Sequence, residues 1–172
     1  SVSSITSTVA TLTVHTAPVF TSSPQTQTVN SGDSVVLTAA VTGIPTPTLQ
    51  WRKDGQAIDG ATGPSLDLGV VSPGANGVYD VIATNSVTST TSATATLTVQ
   101  FSPSIDTQPV SQTVTAGTSV TFSVSATGDP APTYQWRKDG ADITGATSSS
   151  YTIASPVPTD AADYDVVVTN AV

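Results

Sequence analysis

A displacement of 85 residues lays this chain over itself without a gap: Gly43 falls on Gly128, Trp51 on Trp136, Tyr79 on Tyr164, Asn85 on Asn170, and Arg52-Lys53-Asp54-Gly55 on Arg137-Lys138-Asp139-Gly140. Residues 17–87 and 102–172 share 31 identities in 71 pairs. The shared letters are turn glycines, prolines and apolar residues, so one supersecondary plan is written twice. In 172 residues each copy has about the smallest size that folds alone, too small to enclose a large catalytic cavity.

Within each copy apolar and polar residues alternate between turn signals, the period of strands with one buried face. Val35, Leu37, Ala39 and Val41 line one such run, and Val120, Phe122, Val124 and Ala126 line its copy. Both runs stop at Gly-x-Pro-x-Pro, residues 43–47 and 128–132, where prolines cannot donate to a ladder. The next strands carry Trp51 and Trp136, and the Lys-Asp-Gly that follows supplies the positive φ angles of a tight hairpin. Ile58 and Ile143 restart an inward face, followed by strands at Leu66/Leu68 and Tyr151/Ile153, then at Tyr79-Val81-Ala83 and Tyr164-Val166-Val168. Ala95-Leu97-Val99 completes the first copy. With 23 Ser, 32 Thr and no Glu or Met, helix is not expected anywhere.

The sequence G-x-P-x-P-x-x-x-W-x-K-D-G, continued in the second copy by D-x-A-x-Y-x-V-x-x-x-N, resembles the immunoglobulin-like β-sandwich, in particular its intermediate-set modules. The likeness covers nearly the whole chain and is nearest to cysteine-free bacterial surface repeats of this type. It implies an all-β protein of tandem Greek-key sandwiches: a first domain over residues 17–101, and a second over 102–172 that lacks its own last (G) strand. In the family two cysteines flank the strand-C tryptophan. Ala39 with Val81, and Val124 with Val166, hold those places here, and the chain has no cysteine. Trp51 and Trp136 are therefore expected to lie among aliphatic carbons, without a cross-link typically worth about 2–5 kcal/mol. Ala39 is small for its place, which marks the first domain as the looser one. Tyr79 and Tyr164 occupy the position of the family's tyrosine corner, but Ala75 stands where the second copy has Asp160, leaving the associated turn bond in doubt in the first domain.

Residues 1–16 match 86–101 at 10 of 16 positions, including Leu12-Thr13-Val14 against Leu97-Thr98-Val99. They read as an orphan last strand plus linker, and the slot beside Tyr164–Thr169 as unfilled. Two arrangements account for this. Either the chain is a window in a longer covalent array of similar repeats, or Val9, Leu12 and Val14 of one copy insert beside Val166 and Val168 of another. Either gives modules running head to tail, and Ala17-Pro18 and Ser102-Pro103 are expected to make the joints semi-rigid.

The inventory for chemistry is thin. His15 is the single imidazole, with no Cys or Glu to accompany it, and no serine falls in G-x-S-x-G. No catalytic residue and no cofactor is expected. Asp160, Asp163 and Asp165 are candidate oxygen ligands for calcium, without the D-x-D-x-D-G loop such a site would use. All four cations sit at Arg52, Lys53, Arg137 and Lys138, either docking points for acidic neighbours or solvated hairpin ends. A net charge of −8 opposes a phosphate backbone or anionic lipid, so neither nucleic acid nor membrane insertion is expected. No apolar run is long enough to span a bilayer, and any export signal or anchor is expected outside these residues. Of the candidate aromatics for stacking on sugar, Phe20 and Phe101 stand at module entrances where burial is the plainer account, while Tyr134 and Tyr151 remain. The composition and the resemblance imply a non-enzymatic structural repeat of an extracellular or bacterial cell-surface fibre, stalk or adhesin, whose partners are like repeats. The competing reading is a polysaccharide-binding accessory module of a secreted enzyme.

Overall fold

A computed structural model describes residues 2–172. The first repeat forms β1 (Thr16–Ser22), β2 (Gln27–Asn30), β3 (Ser34–Thr38), β4 (Ala40–Ile44), β5 (Thr48–Lys53), β6 (Gln56–Ala57), β7 (Ser65–Val70), β8 (Gly77–Thr84), β9 (Ser89–Thr91) and the beginning of β10 (Ala95–Thr107). The second forms β11 (Val120–Ser123), β12 (Ser125–Asp129), β13 (Thr133–Lys138), β14 (Ala141–Asp142), β15 (Ser150–Ile153) and β16 (Tyr164–Thr169). The only helical pieces among the described residues are single 3₁₀ turns at Pro73–Ala75 and Pro158–Asp160, each opened by a proline whose fixed φ suits a first turn.

One layer of the first repeat contains β1 paired with β4 and β3 paired with β7; the other contains β6-β5-β8, with β9 and β10 both on β8. The run expected as a single strand over 35–41 is broken at Ala39, whose N–H leaves the ladder to donate to Pro64 O at 2.9 Å. Val124 does the same toward Ser149 O at 2.9 Å, so in each copy the two halves of this run serve different partners. In the second repeat β11 pairs with β15, and β13 lies between β14 and β16. The 13-residue β10 joins the repeats covalently: Ala95–Leu97 pair with β8, and Phe101–Thr107 pair with β12.

The chain divides into two compact units. One holds residues up to Gln27 with Ser34–Gly69 and Asn76–Leu97; the other holds Thr28–Asp33, Val70–Ala75 and Thr98–Val172. The repeat boundary at 101/102 therefore differs from the division by contact. Segments 28–33, 70–75 and 98–101 group together because they bond one another: Ser31 N–H donates to Gln100 O, Gly32 N–H to Val71 O, and Val71 N–H to Asp33 O, at 2.7, 2.9 and 2.8 Å.

The hairpin turns have the expected geometry. Asp54 and Asp139 take φ of 50° and 49°, and Gly55 and Gly140 take 79° and 78°, which is the left-handed pair a two-residue turn between twisted strands requires.

Candidate functional site

Both indoles are wholly inside, at 0% exposure. Each satisfies its polar atom on a backbone carbonyl: Trp51 Nε1 donates to Gly63 O at 3.0 Å and Trp136 Nε1 to Ser148 O at 2.9 Å. Across the ladder Trp51 faces Val81 and Trp136 faces Val166. Ala39 and Val124, at the other family cysteine positions, are also buried.

Leu37, Tyr79, Val81 and Ala83 are buried in the first repeat, whereas among the described residues their counterparts Phe122, Tyr164, Val166 and Val168 are half-exposed. The second core replaces two aliphatic residues of the first with rings. Phe122 stacks on Tyr164 at 5.1 Å between centroids, Tyr151 lies 6.0 Å from Tyr164, and Trp136 lies 6.3 Å from each of Phe122 and Tyr151. Tyr151 is thus part of this cluster and not a free sugar platform. Tyr134, half-exposed and opposite Val168, remains available, as do the half-exposed Phe20 and Phe101.

The cations are engaged within the fold as part-exposed surface pairs. Arg52 makes a two-pronged pair with Asp80, Nε–Oδ1 2.7 Å and Nη2–Oδ2 2.6 Å, and Arg137 repeats it on Asp165 at 2.9 and 2.5 Å. Lys53 Nζ lies 6.0 Å from the Tyr79 ring centroid, and Lys138 donates to Thr159 O at 2.9 Å and approaches Asp160 at 3.5 Å. The two arginines fasten β5 to β8 and β13 to β16.

The same pairing disperses the calcium candidates. Asp165 is held by Arg137, Asp160 Oδ2 accepts from Val157 N–H at 2.9 Å, and Asp163 presents its N–H to Asp139 at 3.0 Å. No group of three His, Cys, Asp or Glu side chains among the described residues could hold a metal ion. His15 is exposed, its Nδ1 3.5 Å from Ser86 Oγ.

The Val157 N–H, with Lys138 beyond it, holds the Asp160 carboxyl below its ordinary range, and the Arg137 guanidinium does so for Asp165. Because these folded-state values are depressed, their contribution is present above the unfolded carboxylate range and is lost as pH falls through the folded values. The second module should therefore lose melting temperature on acidification below about pH 4. Asp165→Asn should flatten that slope in a series of thermal melts, and an unchanged slope would remove Asp165 from the account.

Two features that sequence reading passed over are the asparagine bridge and the serine hook. Asn85 Nδ2 donates to Thr16 O at 2.7 Å and to Pro45 O at 3.0 Å; Asn170 Nδ2 repeats this on Phe101 O at 2.9 Å and Pro130 O at 3.0 Å. Ser92 is buried, accepts from Val81 N–H at 3.0 Å through Oγ, and donates its own N–H to Val81 O at 2.9 Å. The signal for both was their recurrence, Asn85 on Asn170 and Ser92 on Ser7. The tyrosine corner is formed in the second repeat, where Tyr164 Oη donates to Asp160 O at 2.9 Å.

The open edge of the second sandwich gathers what remains. β16 pairs with β13, and among the described residues no strand lies on its other edge. Residues 108–115, the counterpart of β2 and its approach, form no strand. Between Gln112–Val114 and Tyr164 lies a cleft of about 410 Å³ floored by Val120, Phe122 and Ile153. Residues 2–15 form no strand either, and Val9, Leu12 and Val14 are 95%, 87% and 65% exposed.

An antiparallel sandwich with a buried indole on its central strand and a tyrosine corner defines the class, and comparison places the chain within it. The model of the immunoglobulin domain matches residues 17–85 and again 102–170; the chain belongs to that family. Mouse hemicentin-1 is 32% identical over 174 aligned residues, covering 94% of this chain and 3% of hemicentin-1. Human neogenin is 34% identical over 63% of this chain and 8% of neogenin. Endoglucanase C of Cellulomonas fimi is 32% identical over 92% of this chain and 15% of the enzyme. The chain thus spans a small fraction of these relatives' length. Among solved structures, the N-terminal four Ig domains of Dscam1 isoform 7.44 align with 95% of this chain and 44% of their own at TM-score 0.69 and 26% identity. No helix among the described residues is long and apolar enough to cross a membrane.

Proposed function

We propose that this chain is a non-enzymatic structural repeat of an extracellular fibre, stalk or surface adhesin, its immunoglobulin-like modules arranged head to tail, by covalent succession or by strand exchange between copies. The observation that carries this reading is β10, a single strand that closes one module at Ala95–Leu97 and opens the next at Phe101–Thr107. A strand with two such duties makes the end of each module the start of its successor, and the plan extends to any number of copies. The internal pairing of Arg52 and Arg137 agrees with it, since those charges serve cohesion of a module. The acidic surface keeps such an assembly soluble. A bacterial, secreted origin rests on the likeness to cysteine-free surface repeats. Electron microscopy of the native material tests the reading: it should show beads about 3 nm long, from strands of some ten residues rising about 3.3 Å each, running end to end. Isolated particles would count against it.

The similarity to a region of endoglucanase C favours a second reading, an accessory module that binds polysaccharide. It predicts retention of the pure protein on insoluble cellulose, weakened several-fold by Tyr134→Ala, and elution in the void of a cellulose column would reject it.

A further inference from the structure

All four Lys and Arg residues of the chain lie at the ends of β5 and β13, so no connection between strands holds a residue after which a trypsin-like protease cuts. Exposed connections are where nicking ordinarily begins. The cleavable bonds are instead laddered on both edges. Arg52 faces Asp80 of β8 on one side and Ala57 of β6 on the other, Arg137 faces Asp165 and Asp142 in the same way, and the lysine after each is paired alike. Backbone bonds close each hairpin at both ends. Ile58 N–H donates to Trp51 O at 2.9 Å and Asp54 N–H to Val78 O at 2.7 Å; Ile143 N–H donates to Trp136 O at 2.9 Å and Asp139 N–H to Asp163 O at 2.8 Å. A glutamine adds a clamp in each copy: Gln50 Nε2 donates to Trp51 O at 3.0 Å and Ile58 O at 2.7 Å, and Gln135 Nε2 to Trp136 O and Ile143 O, both at 2.9 Å.

We infer that the folded chain is withheld from proteases that cut after basic residues, and that each cleavable bond becomes available only when the module holding it unfolds. Such a protease takes its substrate as an extended strand, backbone paired to backbone, and draws Arg or Lys into a pocket floored by a carboxylate. Both requirements are already met from within. The neighbouring strands occupy the two edges of β5 and β13, and Asp80 and Asp165 hold the guanidinium groups in two-pronged pairs. Trp51 and Trp136 sit one residue ahead on the same strands and are wholly buried, so neither strand can be lifted toward a protease without drawing its indole out of the core. Hydrolysis of the Arg52–Lys53 bond, in which water leaves a carboxylate on Arg52 and an amine on Lys53, therefore waits for the module to open. Its rate follows the open fraction and not the accessibility of a loop. A single basic residue placed in a connection bypasses this protection.

Limited digestion of the full chain with trypsin, followed by mass spectrometry, tests the inference. Two variants place a basic residue at an exposed position outside any strand: Thr147→Arg between β14 and β15, and Gln25→Lys between β1 and β2. Each should be cut at the new site about a thousandfold or more faster than the wild-type chain is cut anywhere, since a folded module of ordinary stability is open for less than that fraction of the time. Wild-type cleavage should fall after Arg52, Lys53, Arg137 or Lys138, and should quicken with urea below the unfolding transition in step with the open fraction. Trp51→Ala should be cut after Arg52 and Lys53 while the bonds after Arg137 and Lys138 survive. Rapid cleavage of the wild-type chain at a rate indifferent to urea would show that the hairpins admit the protease while folded. Survival of both Thr147→Arg and Gln25→Lys for as long as the wild type would show that the placement of the basic residues protects nothing. Either result overturns the inference.

Discussion

Trp51→Ala should remove about 3–5 kcal/mol from the first module, enough on the scale of a small domain's total stability to leave it largely unfolded in water. The ring is fully buried, so the truncation loses its transfer energy and leaves a cavity. It also strands Gly63 O, which accepts the indole N–H at 3.0 Å. Related modules can lean on a cross-link beside this ring; here Ala39 and Val81 stand there instead, and nothing covalent limits the collapse. Trp51→Phe should cost less, since most of the apolar volume stays. Denaturant unfolding followed by the fluorescence of the remaining Trp136 should show the second module melting separately. A Trp51→Ala protein that unfolds at the wild-type midpoint would mean that the first core is held by something other than its indole. The mirror variant, Trp136→Ala, should cost the second module a comparable amount, since that indole is as fully buried.

What the sequence disclosed depended on whether the signal was local or repeated. Alternation located the main inward runs because each carries its own buried face, and Lys-Asp-Gly disclosed the hairpins because the φ requirement is confined to two residues. The first strand, Thr16–Ser22, was missed: its one fully buried residue is Pro18, and a proline reads as a breaker until a partner at 40–44 is known. Arg52–Asp80 and Arg137–Asp165 each span 28 residues and become visible only when β5 is laid against β8 and β13 against β16. The small volume of Ala39 is a local fact, but closure of the first core also depends on a strand some sixty residues away, Ala95–Val99.

Asn85→Ala and Asn170→Ala should each cost about 1–3 kcal/mol, a large effect for one half-buried side chain. Each amide joins three stretches of backbone: its own turn after β8 or β16, the first strand of the module, and the proline loop before the tryptophan strand. Asn85 Oδ1 accepts from Val87 N–H at 3.0 Å and Asn170 Oδ1 from Val172 N–H at 3.2 Å, while the two Nδ2 donors reach the carbonyls already described. The glycine at 43 and 128 makes the approach possible. A Cβ on Gly43 would lie 3.0 Å from Pro47 Cγ, 3.2 Å from Asn85 Nδ2 and 3.3 Å from Pro18 Cα, and Gly128 repeats these contacts on Pro132, Asn170 and Pro103. Gly43→Ala should therefore destabilise by roughly 1–3 kcal/mol through overpacking against the bridge. The decisive comparison is the double variant. If the added methyl acts by displacing the Asn85 amide, Gly43→Ala and Asn85→Ala lose part of the same interaction, and their combined cost falls short of the sum of the two single costs by more than about 0.5 kcal/mol. Strict additivity in a denaturant-based cycle would show that the glycine is needed for the prolines alone. Asn85→Asp separates the halves of the bridge: it keeps the acceptor for the turn and removes the donor to Thr16 and Pro45, so a loss close to that of alanine would assign the bridge's stabilisation to its two donated bonds.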